Sequence, residues 1–235
     1  MYVRRDAVLS SQIEGTQSTL DDVLAFELDP RGQEVPRDID EVVNYSAAMT
    51  YGLARLSTLA LSLRLIREIH GGLLENGRGA QRRPGAFRTS QNGIGPANTP
   101  LERATFVPPP VFEMNRALDT CEHVLPHEQM LPVLIHCGLA HAQVAPIHPF
   151  LDGTGRVGRL LITLLLCYRG VLPRPLLYLS YVFKRHRAEY DDRLMASRED
   201  ELLIAAILVA LNIKPIDAAR VQVEERIARL RQDGW

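Results

Sequence analysis

The sequence predicts an all-α fold that one irregular segment interrupts. Apolar residues recur at intervals of three and four along most of the chain, which is the spacing of amphipathic helices. With 235 residues, 46% of them hydrophobic, the chain is long enough to bury a core of its own. Only residues 81–110 depart from this pattern, being rich in Pro, Gly and Asn, and such a long irregular stretch is usually functional.

The elements follow in order from local signals. A helix is expected over about residues 2–28 with a break at Gly15, after which Thr16 or Ser18 would cap its second part. Within the irregular segment, residues 87–90 and 104–107 are expected to form two short strands of a hairpin flap. The remaining predicted helices cover residues 38–56, 59–74, 111–124, 130–146, 155–169, 185–197, 200–212 and 215–232.

Composition narrows the function classes. A formal net charge of -1 argues against bulk binding to nucleic acid or to a membrane surface. Cys121, Cys137 and Cys167 lie far apart without a CxxC pair, which favours reduced core thiols over a disulfide framework or a zinc site. The first residues lack the apolar stretch of a signal peptide, and the longest apolar runs are too short to cross a bilayer. A cytoplasmic protein is therefore expected.

One stretch, "IHPFLDGTGRVGR" at residues 147–159, combines features of an anion site. Pro149 stops the preceding helix, while Gly153 and Gly155 permit positive φ, so that successive N–H groups can turn to one side. The positive end of a new helix follows, for which Thr154 is a plausible cap. Arg156 and Arg159 are three apart and can share its first turn, where an anion would neutralise them.

Two further side chains complete a possible nucleotide site. Asp152 offers the single hard carboxylate that Mg²⁺ needs beside phosphates, and His148 has the ordinary pKa of a general base at neutral pH. The residues alone leave open a simple tight turn and a core role for His148. His136 and His141 lie five apart, do not share a helix face, and are expected to be packing or surface histidines.

The stretch "HPFLDGTGRVGR" resembles the signature of the Fic family, except that Thr154 stands where the family has Asn. "SSQIEG", "PGAFRTSQN", "ATFVPPP" and "PLLYLSYVFKRHRAEYDDRL" resemble the bacterial branch with an N-terminal helix, so that about residues 8–198 are covered. The resemblance implies a Fic-fold helical bundle with a short β-hairpin flap. It also implies an inhibitory helix region at residues 1–28, a catalytic core at 29–198 and a C-terminal helical appendage at 199–235.

By this resemblance, the enzyme transfers AMP from ATP to a Ser, Thr or Tyr hydroxyl of a target protein. His148 would be the general base, and Asp152 would hold Mg²⁺. Phe150 would point into the core. The nucleotide-binding residues implied are Gly153, Thr154, Gly155, Arg156, Arg159, which would receive the γ-phosphate, and Tyr190.

The resemblance also assigns roles outside the signature. Residues of the flap would dock the target by strand addition, namely Phe87, Arg88, Thr89 and Ser90. "SSQIEG" is similar to the family's inhibitory motif, in which Glu14, four residues after Ser10, would pair with Arg159 and block the γ-phosphate position. The partners implied are ATP and an unnamed target protein, with no nucleic acid or membrane and with homo-oligomerisation left open.

Departures from the family pattern keep alternatives open. Thr154 is β-branched and disfavours positive φ, so the phosphate loop could be distorted. Gly93 stands where the family often has Trp, and Asp191 replaces a Tyr near the adenine site, which leaves the nucleotide unsettled. The alternatives are transfer of another nucleotide, removal of AMP, or an ATP-binding regulator without catalysis. The target and its modified residue are not encoded in the pattern.

Overall fold

The computed structural model describes residues 1–30, 36–96, 99–125 and 132–199. The part of the chain so described is mostly helical, as predicted. Its helices are α1 Tyr2–Ile13, α2 Leu20–Leu28, α3 Ile39–Arg55, α4 Leu63–Leu73, α5 Val111–Val124, α6 Val133–Ile147, α7 Thr154–Tyr168, α8 Leu179–Arg185 and α9 Arg187–Glu199.

The N-terminal helices separate at Gly15, as the sequence predicts. Gly15 has φ +96°, a conformation that an L side chain rarely adopts, so the chain turns there at little cost. The predicted cap of α2 was wrong, because neither Thr16 nor Ser18 caps it. Thr19 does so in a capping box with Asp22, in which the side chain of each residue accepts from the backbone N–H of the other.

The second half of the signature forms the central helix. Almost every residue of α7 from Thr154 to Leu166 is buried, because α1, α3, α4 and α6 pack around it. Gly158 permits close packing with α6, since a Cβ there would lie 3.0 Å from the ring of His141. None of the helices in the described ranges is both long and apolar enough to span a membrane.

The irregular segment does not form the predicted hairpin. Neither residues 87–90 nor 104–107 form a strand. Pairing in the described part of this segment is limited to one antiparallel bridge, in which Ile94 and Phe106 exchange hydrogen bonds of 2.8 and 3.1 Å. A short 3₁₀ turn, Leu101–Arg103, lies between them. The described part of the segment is therefore a loop with one bridge.

The C-terminal part departs from the prediction in one element. The helix predicted at residues 185–197 forms as α9, but α8, which precedes it and is separated from it at His186, was not predicted. The helices predicted at 200–212 and 215–232, and nearly all of the predicted appendage at 199–235, lie outside the described residues. The three cysteines are free, and Cys121 and Cys137 are buried, in agreement with reduced core thiols.

Candidate functional site

The loop between α6 and α7 carries His148 and Asp152. His148 ends α6 in the left-handed conformation, with φ 45° and ψ 61°. This position at a helix end is usually occupied by Gly, and a non-glycine residue there is strained. Strain of this kind is typical of functional sites, where a particular side chain is needed despite its cost.

Arg88 braces the start of this loop. The residue is 1% exposed, and its Nε donates to the His148 carbonyl over 3.0 Å. Its backbone N–H donates to the Pro149 carbonyl over 2.8 Å, and its remaining nitrogens donate to the carbonyls of Ser90 and Pro109. The prediction that Arg88 faces a docking target was therefore wrong in this structure. The side chain lies inside, where it fixes the backbone at His148.

The glycines of the signature serve two different purposes. Only Gly153 has a positive φ, +80°, at the N-cap of α7. Gly155 is needed for space instead, because a Cβ on it would lie 2.5 Å from Oε1 of Glu14. The carboxylate of Glu14 thus lies directly against the first turn of α7.

Thr154 does not distort the loop in the way the sequence suggested. It is the first residue of α7, not its cap, and its φ is not positive. Its buried hydroxyl lies 3.5 Å from the Phe150 carbonyl and 3.4 Å from the Phe150 N–H. The β-branched side chain is therefore accommodated, with its oxygen directed to the loop backbone.

Arg156 lies between two carboxylates. Its Nη1 lies 3.1 Å from Glu41 of α3 and its Nη2 lies 3.1 Å from Asp152, with the guanidinium 2% exposed. Glu41 is also buried and contacts Arg78 at 3.3 Å. Burial raises the pKa of Glu41, although the charge of Arg156 opposes that shift. Sequence reasoning missed Glu41, since an acidic residue in the first turn of a helix is common.

Arg159 is bound by α1. Its Nε donates to the Ser10 hydroxyl over 2.8 Å, and its Nη2 donates to the Ser10 carbonyl over 3.1 Å and to Glu14 over 2.6 Å. The guanidinium is 2% exposed and the Glu14 side chain 35%. Burial is the largest single influence and would raise the pKa of Glu14, but the charge and hydrogen bond of Arg159, together with the charges of Arg156 and Arg187, lower that pKa overall. The structure thus brings Glu14 to Arg159, the pair that the family resemblance implies, and adds Ser10, whose contact with Arg159 was not expected.

A cavity of about 460 Å³ lies between α6, α8 and α9. Its walls include stacked rings of Phe183 and Tyr190, whose centroids are 4.6 Å apart, and His141. The Tyr190 hydroxyl lies 3.0 Å from Nε2 of His141, whose pKa burial lowers to about 4. Asp191 does not line the cavity but lies 3.5 Å from Arg187 on the surface.

The flap residues lie in two environments. Phe87 packs against Phe150, with ring centroids 5.3 Å apart, whereas Thr89 and Ser90 are exposed. Arg83 donates a hydrogen bond to the Thr89 hydroxyl. A side chain at Gly93 would meet Ala104 at 2.8 Å, so the glycine is fitted to this loop.

His70 is a buried residue that sequence reasoning missed. Its Nδ1 accepts from the Gly85 N–H over 2.9 Å, and its Nε2 lies 3.0 Å from the Asp152 carbonyl. Its ring stacks on Phe150, which is fully buried as expected, at 3.7 Å between centroids. Burial lowers the pKa of His70 to about 4. No local pattern singles it out, because its partners are distant in sequence.

Among the described residues, no three His, Cys, Asp or Glu side chains converge to hold a metal ion. His136 and His141 are buried in α6, in agreement with packing roles. The side chain of Asp152 is 30% exposed in the loop just before α7, where it can reach a single metal ion. One carboxylate is enough for Mg²⁺ when phosphate oxygens and water complete its shell.

Two family models match the chain. The Fic/DOC family N-terminal model matches residues 1–54, and the Fic/DOC family model matches residues 60–166. The matched ranges contain Ser10 and Glu14 in the first and His148, Asp152 and Arg159 in the second.

Curated relatives are similar over part of their length. "Protein adenylyltransferase Fic" of Drosophila grimshawi is 30% identical over 196 residues, which is 81% of this chain and 37% of that protein. A "probable protein adenylyltransferase" of Aquifex aeolicus is 31% identical over 101 residues, 43% of this chain and 29% of that protein. The chain thus spans about a third of the length of these relatives.

Solved structures share the fold. A Fic family protein from Desulfovibrio desulfuricans G20 has a TM-score of 0.69 at 23% identity, over 97% of this chain and 65% of that one. Fic-1 from C. elegans has a TM-score of 0.64 at 22% identity, over 99% and 63%. At this identity the likeness establishes the fold alone.

Proposed function

Because the chain belongs to the Fic/DOC family, we propose that it transfers AMP from ATP to a hydroxyl side chain of a target protein and that Glu14 inhibits this transfer. The observation that carries the proposal is the Glu14 carboxylate, which lies against the first turn of α7 and 2.6 Å from Arg159. A negative group from another helix thus occupies a place suited to an anion.

In this reaction His148 would be the proton acceptor. The target's hydroxyl oxygen attacks the α-phosphorus, the bond from that phosphorus to the bridging oxygen breaks, and pyrophosphate leaves. The hydroxyl proton passes to the His148 imidazole. The strained backbone of His148, held by Arg88, supports this role, because catalysis of phosphoryl transfer depends mainly on positioning.

The start of α7 would bind the triphosphate. The backbone of Gly153, Thr154 and Gly155 lies at the positive end of the helix, and Arg156 and Arg159 add charge. Asp152 would hold Mg²⁺, which would neutralise phosphate charge. Because Arg156 already contacts Asp152 and Glu41, its part would be to orient the carboxylate as well as to attract phosphate.

The cavity beside Tyr190 would receive the base of the nucleotide. Its aromatic rings offer stacking surfaces that suit any base. Asp191, outside the cavity wall, would not contact the base there. The exposed Thr89 and Ser90 would lie along the path of the target, with the extended chain around Ile94 offering backbone groups for pairing.

The test uses the Glu14→Gly variant incubated with each Mg²⁺-nucleoside triphosphate, with intact mass as the readout. We expect a mass increase of one AMP group with ATP, and no increase after His148→Ala is added. His123→Ala, which removes an exposed histidine of α5, is the matched control and should keep the transfer.

The same experiment separates the alternatives. Modification with another nucleoside triphosphate but not with ATP would show that the enzyme transfers a different nucleotide. Loss of an AMP group already present on the protein would indicate that the enzyme removes AMP. ATP binding without any product in the wild type and the Glu14→Gly variant would contradict transfer and favour a regulator. Transfer that persists in the His148→Ala variant would place the base elsewhere.

A further inference from the structure

His70 lies between two segments that meet at the site. Its α4 position is 15 residues from Gly85 and 82 residues from Asp152, yet one ring contacts both. Since Nδ1 accepts from the Gly85 N–H, the proton of the neutral ring must lie on Nε2, which then donates to the Asp152 carbonyl. The hydrogen bond from the Gly85 N–H therefore fixes the His70 ring in the Nε2–H tautomer.

Several carbonyls of the loop at residues 148–153 accept hydrogen bonds from side chains and backbone outside the loop. Arg88 binds those of His148 and Pro149, and the Asn92 amide lies 3.4 Å from that of Phe150. His70 supplies the bond at the far end, beside Asp152. Each of these donors holds one carbonyl, so removal of one donor is expected to release the part of the loop beside it.

Tight packing keeps the ring of His70 in place. One face stacks on Phe150, with an interplanar angle of 12°. A Cβ on Gly153 would lie 3.4 Å from the ring, which is van der Waals contact distance, so the backbone of Gly153 lies close to the imidazole. The ring is thus held by the stacked Phe150 and by its hydrogen bonds to Gly85 and Asp152.

We propose that His70 is a positioning residue. Its Nε2–H holds the backbone carbonyl of Asp152 and thereby orients the Asp152 carboxylate beside the N-terminus of α7. The proposal rests on the proposed function for its catalytic consequence. It predicts that transfer depends more on the 3.0 Å hydrogen bond to Asp152 than on the 2.9 Å hydrogen bond to Gly85.

Two variants separate the two bonds. In His70→Gln the side-chain amide nitrogen can replace Nε2 as the donor to Asp152, while the bond from Gly85 is lost. In His70→Asn the side-chain oxygen can replace Nδ1 as the acceptor from Gly85, while the donor to Asp152 is lost. Each variant leaves one buried backbone group without its partner, so we expect both to lose similar stability.

The first readout needs no ligand. Amide hydrogen exchange should quicken in residues 150–153 of the full-length His70→Asn variant but not in those of His70→Gln, where it should quicken near Gly85. Equal exchange of residues 150–153 in both variants would overturn the positioning role, whatever the activity of the protein.

The second readout is transfer in the Glu14→Gly background. We expect His70→Asn to lower kcat on the order of tenfold, the effect of one lost hydrogen bond, with KM for ATP nearly unchanged. His70→Gln should keep kcat within about twofold of the parent. Equal loss in both variants would indicate a structural role only. An inactive parent would instead contradict the proposed function, and the exchange result would still decide the role of His70.

Discussion

Arg156 and Arg159 are the same residue type, three positions apart on one helix, and both are buried, yet different parts of the chain hold them. Arg156 contacts Glu41 of α3 and Asp152 of its own loop. Arg159 contacts Ser10 and Glu14, which belong to α1. One arginine is therefore tied to the core, and the other to the N-terminal helix.

The exposure of their partners shows what this difference means. The side chain of Glu41 is 4% exposed, whereas that of Glu14 is 35% exposed. A buried carboxylate that loses its place leaves an unpaired charge in the interior, but a partly exposed one can exchange its partner for water. We therefore expect the ion pair of Arg156 with Glu41 to persist when nucleotide binds, and that of Arg159 with Glu14 to be the one that a phosphate replaces under the proposed function.

The largest expected effect concerns stability. Replacement of Glu41 by Gln leaves the buried Arg156 short of a charge partner, so the free energy of unfolding should fall by about 3 kcal/mol. Glu14→Gln, the matched variant at Arg159, should change it by no more than about 1 kcal/mol. Urea denaturation measures the free energy of unfolding of both variants. Equal losses would contradict the proposed difference between the ion pairs of Arg156 and Arg159.

A second prediction concerns activity. Glu14→Gly should raise auto-modification by about tenfold, since it removes a charge-assisted hydrogen bond that competes with ATP. Glu27→Gly is the control, because Glu27 also lies 2.6 Å from an arginine, Arg4, and is 37% exposed. Incorporation of labelled AMP measures the rates. A similar rise in the control would mean that general loosening of the N-terminal region is the cause.

Substitution of Ser10 should raise auto-modification less than substitution of Glu14. Ser10→Ala removes the 2.8 Å bond to Nε of Arg159 but leaves the carboxylate in place, so auto-modification should rise by about threefold. Ser11→Ala is matched, because Ser11 is buried on the same helix and its hydroxyl lacks a hydrogen-bond partner among the described residues. If auto-modification rises equally in both variants, the hydrogen bond from Arg159 to Ser10 does not contribute to the inhibition.

The smallest expected effect is on pH dependence. Because Arg159 lowers the pKa of Glu14, the pair stabilises the fold above the ordinary pKa of 4.5 and loses this contribution as pH falls through the lowered value. The difference in unfolding free energy between wild type and Glu14→Gln should be constant well above pH 4.5 and should shrink progressively as the pH falls below that value. A difference that grows in acid would contradict the assigned pair.

Local chemistry in the sequence predicts most of the helices and the loop of the site. Pro149 and Gly153 mark the loop, and Gly15 marks the break after α1. The pairing of Glu14 with Arg159 was expected only through the resemblance to a family, since 145 residues separate them. Burial of Arg88 was not foreseen, because a Pro- and Gly-rich stretch resembles a surface flap.

The remaining misses are long-range contacts. Glu41 and Arg156 are 115 residues apart, and His70 and Asp152 are 82 apart. Neither pair leaves a periodic or capping signal, so only the packing of α3 and α4 against α7 brings them together. The separate helix α8 was missed because its apolar residues continue into the pattern of α9 without a glycine or proline between them.

The central claim is that the Glu14 carboxylate and the γ-phosphate of ATP compete for Arg159. Calorimetric titration of Mg²⁺-ATP and Mg²⁺-ADP into the His148→Ala protein, with and without Glu14→Gly, tests it without turnover. We expect Glu14→Gly to strengthen ATP binding by about tenfold and to leave ADP binding unchanged, since ADP lacks the γ-phosphate. An equal gain for both nucleotides, or none for ATP, would contradict the competition.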